Sequence, residues 1–258
     1  KTYASALEEA AALDLREEYR SYRDQLRVAE QIQRSLFPRS PDLPGLEVAL
    51  VTAPSERVSG DYVDAFAIDE RRSVVFLADV TGHGLAAAIV AAQIHTMVHA
   101  HPWDEETDLP MFVKRVSRYL CRFTPDHITV TALALLHDAR TGEAELVNAG
   151  HHPVLLCRAG EAPRATRAGV NALLGLSQFL DEPMVSEPIP LEPGTWVIGY
   201  SDGVPEQRDA AGVLLGQRGA VDLIAETIPG PGEKAVASDV ARRVGLRLDA
   251  HQDRKSVV

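Results

Sequence analysis

The chain has 258 residues, 45% of them hydrophobic and 24% charged, a balance that excludes extended disorder and allows one compact unit or two small ones. Basic residues number 26 against 37 acidic ones, a net charge of −11 that lacks the positive field drawing nucleic-acid backbones and suits a protein that gathers divalent cations. Cys121 and Cys157 are too few for a disulfide framework and read as reduced, small hydrophobes. No stretch approaches the roughly 18–20 apolar residues of a membrane span, and Lys1-Thr2-Tyr3 leads into a charged helix former rather than a signal peptide. The expectation is a cytoplasmic protein with no nucleic-acid and no membrane partner. The missing initiator Met gives the further expectation that it is a fragment of a longer chain.

Residues 1–37 contain no Gly or Pro and are rich in Ala, Leu, Glu and Arg, so they predict a long helix. Ala12, Leu15, Tyr19, Tyr22, Leu26, Ala29, Gln33 and Leu36 alternate in steps of three and four, like the seam of a coiled coil. Two readings stand side by side: an amphipathic helix packed on its own domain, or a parallel dimer stalk. Phe37-Pro38 ends the helix, and a loop with Pro41, Pro44 and Gly45 follows. Strands are then predicted at Leu46–Thr52, Tyr62–Ile68, Ser73–Ala78, Ile128–His137, Ala144–Ala149, Pro153–Arg158 and Thr195–Tyr200. Helices are predicted at Gly84–His101, Leu109–Phe123, Gly216–Ile228 and Gly232–Asp249. The first of these is apolar almost all round and should be deeply buried. Strands in neighbouring runs, with helices as paired insertions, point to antiparallel sheets covered by helices, an α+β fold. Val257-Val258 reads as part of a last strand.

Three acidic residues share a local setting. Asp79 closes the apolar run from Ser73 to Ala78, Asp202 follows the run from Trp196 to Ser201, and Asp61 opens the run at Tyr62 after a glycine. Asp253, ahead of the last strand-like run, is a fourth candidate. Half-buried carboxylates on one sheet edge repel one another unless a cation lies between them, and an all-oxygen set suits Mg²⁺ or Mn²⁺ more than zinc. Each Asp alone also fits a turn or helix cap, so spacing leaves both readings open. His83 reads as a turn residue rather than a general acid, and His151-His152 as residues shaping a turn. His95 and His99, four apart on a helix, have the spacing of paired metal ligands but no Glu in a His-Glu-x-x-His arrangement, and read as packing residues.

Several motifs in order resemble one family. Ala29–Pro38 (Ala-Glu-Gln-Ile-Gln-Arg-Ser-Leu-Phe-Pro) resembles the helix entering the catalytic domain of SpoIIE/RsbU-type bacterial phosphatases, of the metal-dependent PPM (PP2C-like) superfamily. Ser59-Gly60-Asp61-Tyr62-Val63-Asp64 resembles their Gly-Gly-Asp-Tyr-Tyr-Asp. Asp79-Val80-Thr81-Gly82-His83-Gly84 with Ala87-Ala88 resembles Asp-Val-Ser-Gly-His-Gly-x-x-Ala-Ala. Asn148–Pro153 resembles the Ala-Gly-His-x-Pro turn, and Tyr200–Glu206 resembles Tyr-Thr-Asp-Gly-Val-x-Glu. Asp253-Arg254-Lys255-Ser256 sits where the family has Asp-Asp-x-Thr. Ser59, Val63 and Arg254 depart from the pattern.

The resemblance implies an α-β-β-α sandwich of two mainly antiparallel sheets flanked by helices. It implies residues 38–258 as the catalytic domain and 1–37 as a linker or switch helix, with a possible homodimer through it. It implies two Mn²⁺ or Mg²⁺ ions, with Asp79 bridging, Asp61 and the Val80 carbonyl on one ion, and Asp202 and Asp253 on the other. Asp61, Asp79 and Asp202 are thus the expected catalytic residues. Arg57, four residues before Asp61, matches a phosphate-binding Arg of the wider superfamily. The implied activity is hydrolysis of phosphoserine or phosphothreonine, with a STAS-domain anti-anti-sigma protein as substrate and a sensor domain upstream in the same chain. The alternative is a catalytically weak binding module, motivated by Ser59 and Arg254.

Overall fold

A computed structural model of the chain describes residues 3–36, 42–52, 57–209, 211–230 and 232–252. The Gly- and Pro-free start forms one 34-residue helix, α1 (Tyr3–Leu36). A hairpin follows, β1 (Tyr62–Ala67) and β2 (Arg72–Val80), whose turn is tied by Asp69: its Oδ1 accepts the backbone N–H of Arg71 and of Arg72, each at 2.8 Å. Then come α2 (Gly84–Ala100), α3 (Leu109–Phe123), β3 (Val130–Asp138), β4 (Glu143–Ala149), β5 (Leu155–Cys157), β6 (Arg164–Ala165), β7 (Glu187–Pro190), β8 (Trp196–Ile198), α4 (Gly216–Ala225) and α5 (Ala237–Gln252). α3 starts where sequence predicts, because Asp108 caps it by accepting Met111 N–H at 2.8 Å and Pro110 tolerates the first turn.

The strands make two antiparallel sheets, ordered β1-β2-β3-β4-β7 and β6-β5-β8. Strand alternation divides β2 between two cores. Val80, Ala78 and Phe76 face α2 and α3, packing with Ile94, Val98, Phe112, Val116 and Leu120. Val75 and Leu77 point the other way, into a layer shared with Leu133, Leu135, Val154, Leu156 and Val197. The second sheet turns Leu155 and Cys157 toward Ala220 and Ile224 of α4. The architecture is therefore the α-β-β-α sandwich, an α+β fold. Burying a side chain such as Phe76 or Ile94 stabilises it by roughly 1.5–3 kcal/mol each.

Some predicted elements differ. Residues 47–52 form no strand; Leu46 makes one isolated bridge to Leu43, and Glu47 instead caps α5, accepting Ala237 N–H at 2.7 Å. That helix begins at Ala237 rather than Gly232, which takes φ 81° in a turn. β7 lacks any strand-like composition, since Pro188 and Pro190 belong only on a sheet edge, and an edge is where β7 lies. α2 is not buried all round: Leu85 and Ile89 are about half exposed. α1 packs on its own domain through only part of its seam. Leu26, Ala29, Gln33 and Leu36 are partly covered, while Leu15, Tyr19 and Tyr22 are exposed. Phe37-Pro38 and the last strand-like run from Asp253 lie outside the described residues. Among the described residues no helix is long and apolar enough to cross a membrane.

Candidate active site

The site grows from the β1–β2 register. Tyr62 pairs with Ala78, so one further step along the antiparallel ladder sets Asp61 beside Asp79 on the face that looks between the sheets. Asp79 lies within β2, one residue before its end, not after it. Like charges in neighbouring strand positions repel. Burial raises Asp61 with help from Asp202, and burial, then Asp202, Asp61 and Glu206, push Asp79 up to about 7. Asp61 is held by Ser59, whose hydroxyl accepts the Asp61 N–H at 3.0 Å; the Ser that departs from the family's Gly thus makes a local turn. Gly60 lies against β2: a Cβ there would stand 2.9 Å from the Val80 carbonyl oxygen and 3.0 Å from Ala87 Cβ. The expected oxygen donor of Val80 is thereby next to the Asp61 segment.

Asp202 comes from the turn after β8, and a buried histidine ties that turn to the opposite sheet. Thr131, the cross-strand partner of Asp79, lies 2.6 Å from His151 Nδ1, and His151 Nε2 lies 3.0 Å from the Tyr200 carbonyl oxygen. The carbonyl accepts only, so Nε2–H donates to it and the Thr131 hydroxyl donates to Nδ1. Burial, then His152, lowers His151 to about 4, keeping the ring neutral and in this role. His151 therefore spans from the neighbour of Asp79 to the residue two before Asp202. Sequence gives it only as a turn residue; the long-range link exists only after folding. Replacing His151 with Leu leaves the Tyr200 carbonyl and Thr131 hydroxyl without this partner and should cost about 1–3 kcal/mol, read by chemical denaturation. Glu206 is a second residue, part of a matched motif, to which the sequence assigns no role. Its N–H donates to the Asp202 carbonyl at 2.9 Å, and its charge acts on Asp79.

The other expected residues fall as follows. The Arg57 guanidinium meets Glu30 of α1 at 3.2 Å. Gln33 of α1 takes both backbone groups of Ser59: its amide nitrogen donates to the Ser59 carbonyl at 2.6 Å, and its amide oxygen accepts Ser59 N–H at 2.9 Å. α1 thus grips the segment that carries Asp61. His83 stands exposed at the N-cap of α2, after Gly82 at φ 97°. Asp253 lies outside the described residues. The residues present suit hard cations. Every side-chain donor is a carboxylate, a main-chain carbonyl adjoins them, and their repulsion is what a cation relieves. They line the edge as interacting charges rather than as a closed ligand cage.

Comparison with known proteins adds a decisive match. The model of the family described as Stage II sporulation protein E (SpoIIE) matches residues 69–256. The chain belongs to the SpoIIE family. Among curated relatives, Protein IcfG of Synechocystis sp. is 23% identical over 229 residues, covering 78% of this chain and 35% of its own length. Phosphoserine phosphatase RsbU of Bacillus subtilis is 24% identical over 195 residues, covering 74% of this chain and 56% of RsbU. The chain thus spans between about a third and somewhat over half of these relatives. Among solved structures, the SiaA-PP2C domain of Pseudomonas aeruginosa superposes with a TM-score of 0.73 at 17% identity, covering 92% of this chain and 93% of that one. RsbX, solved in complex with magnesium, has a TM-score of 0.54 at 14% identity and covers 76% and 81%. The fold of this SpoIIE-family chain is therefore PP2C-like.

Proposed function

We propose that the protein is a metal-dependent PPM-type phosphatase that hydrolyses phosphoserine or phosphothreonine on a regulatory protein. The observation that carries this is the convergence of the carboxylates Asp61, Asp79 and Asp202 at one edge between the sheets of a SpoIIE-family fold. Asp79 is the shared ligand in this reading, with Asp61 and the Val80 carbonyl on one side and Asp202 and Asp253 on the other. Two bound Mn²⁺ or Mg²⁺ ions supply charge neutralisation at the phosphoryl oxygens and a water acidic enough to act near neutral pH. The magnesium held by RsbX supports that choice of ion.

The chain's own part is to fix the donors and to keep other nucleophiles out. The hairpin register holds Asp61 and Asp79 side by side, and His151 holds the turn of Asp202 against them. Both cysteines are free, and neither has a lowered pKa. Burial raises Cys121 and pushes Cys157 up to about 11, so no thiolate is poised for attack. For Arg57 to bind a phosphate it must leave Glu30; an exposed pair of this kind holds by only about 0–1 kcal/mol.

The substrate class is taken to be a STAS-domain anti-anti-sigma protein, with residues 38–258 as the catalytic domain. Support comes from RsbU, itself named a phosphoserine phosphatase. Purified chain should release inorganic phosphate from a phosphoserine protein in a Mn²⁺-dependent manner and leave nucleoside triphosphates intact. Faster turnover of nucleotides refutes the reading.

Residues 1–37 act as the switch. An upstream sensor that shifts α1 moves Ser59 through Gln33, and Asp61 lies two residues on. Gln33→Ala should lower turnover several-fold while costing only about 1–2 kcal/mol of stability, so the chain stays folded at the assay temperature. The exposed seam, Leu15, Tyr19 and Tyr22, is the proposed dimer contact. Tyr19→Glu with Tyr22→Glu should shift a dimer to monomer in sedimentation; an unchanged mass with unchanged turnover removes this role.

A further inference from the structure

Three residues unused by the phosphatase reading meet where β1 faces α2. Asp64 is almost fully buried, and its Oδ2 lies 2.6 Å from His99 Nε2 and 3.7 Å from His95 Nδ1. One ligand atom from each residue lies within 4.8 Å of the other two. His95 and His99 are adjacent on one helix face, as an i, i+4 pair must be, and the third ligand comes from the strand rather than the helix. The hydrogen bond to Asp64 accounts for His99 alone. His95 Nδ1 is buried beside the same carboxylate with no hydrogen-bond partner among the described residues, which an imidazole nitrogen does not do without cost.

The surroundings are built like those of a metal ligand set. Asp64 is oriented by two further donors, the Tyr62 hydroxyl on Oδ2 at 2.7 Å and the Ala65 N–H on Oδ1 at 2.8 Å. Tyr62 meets the His95 ring edge-on, with centroids 5.8 Å apart, and Phe66 lies against His99 at 4.9 Å. Partners of this kind fix ligand rotamers. In a tetrahedral zinc site, neighbouring ligand atoms stand about 3.3 Å apart, given bond lengths near 2.0 Å. The two distances to Asp64 bracket that value, so a small rotation of the His99 ring opens the site.

We propose that Asp64, His95 and His99 bind one Zn²⁺ ion, with water in the fourth position beside the exposed His99 edge, stapling α2 to β1. Two imidazoles with one carboxylate select zinc, whereas the all-carboxylate edge selects Mg²⁺ or Mn²⁺, so the two sites sort their ions by donor type. The staple lies about 10 Å along β1 from Asp61, three residues away at strand rise. It holds the helix that begins just after the Asp79 strand.

The test uses the whole chain, stripped with chelator and titrated with Co²⁺ and with Zn²⁺. Co²⁺ should give the visible bands of tetrahedral coordination in the natural chain and in Asp79→Asn, and lose them in His99→Ala. At a hundredfold excess over its Kd, Zn²⁺ should raise the melting temperature by about 5–10 °C, and should not do so in His99→Ala. His99 is exposed at the last turn of α2, and in its absence Asp64 keeps the hydrogen bonds from the Tyr62 hydroxyl and the Ala65 N–H. His99→Gln, closer in size, serves if the Ala variant loses its helical circular dichroism. Absence of the bands from the natural chain, or their survival in the folded His99 variant, overturns the proposal.

Discussion

Asp79→Asn should abolish metal-dependent turnover and stabilise the metal-free protein. The loss in kcat is set at about two to three orders of magnitude, the size seen when one preorganised charge stabiliser is removed. The gain in stability follows from the repulsion. An Asp with the ordinary value of 3.8 in the unfolded chain is pushed up to about 7 at Asp79, first by burial, then by Asp202, Asp61 and Glu206. Between those two values the folded chain binds the extra proton, so Asp79 contributes stability fully present below pH 4 and lost as pH rises through 7. The amide carries no charge and escapes that loss. Because Asp79 is partly open to solvent, screening reduces the gain to about 1–2 kcal/mol above pH 7, roughly 2–6 °C in melting temperature. Measured without metal, the difference between variant and natural chain should vanish near pH 4 and reach its full size above pH 7. Comparing the two chains at each pH removes His151 and the other histidines from the reading. Saturating Mn²⁺ should reverse the order, stabilising the natural chain alone.

Gly60→Ala should damage both stability and turnover, although alanine is a mild substitution. Nothing in the backbone conformation of Gly60 forbids a side chain; the obstacle is space. The added methyl would stand 2.9 Å from the Val80 carbonyl oxygen and 3.0 Å from Ala87 Cβ, and neither is the end of a flexible side chain. Relief must come from the loop before β1 or from the start of α2. Overpacking of this kind costs about 1–3 kcal/mol. The loop carries Asp61, and the displaced carbonyl is the proposed oxygen donor, so turnover should fall at least about tenfold, as displacements near 1 Å commonly do. The raised Mn²⁺ concentration needed for half-maximal activity is the signature separating this from general loss of fold.

Most elements could be read from sequence because local signals and tertiary demands agree. Asp108 and Pro110 start α3 where their chemistry says, and the apolar runs around Val75 and Leu133 are central strands. β7 could not be read, since an edge strand with two prolines is defined by its neighbour β4 and not by its own composition. The short β6 is likewise held by β5. The acidic trio is visible as strand-end residues, but their proximity is a product of register: Asp61 meets Asp79 only because Tyr62 pairs with Ala78. His151 looks like a turn residue because its partners, Thr131 and Tyr200, are 20 and 49 positions away. The His95–His99 pair lacked a third ligand in sequence because Asp64 is on a strand 35 positions from His99. The grip of Gln33 on Ser59 was hidden in the coiled-coil seam, where a glutamine counts only as a weak position.

The most direct measurement is phosphate release from a phosphoserine protein against Mn²⁺ concentration, with the natural chain and Asp79→Asn side by side. A saturating rise in rate for the natural chain, absent from the variant, is the predicted result. A folded natural chain that releases no phosphate at any Mn²⁺ or Mg²⁺ concentration, or a variant that releases it equally fast, contradicts the carboxylate edge as the seat of catalysis.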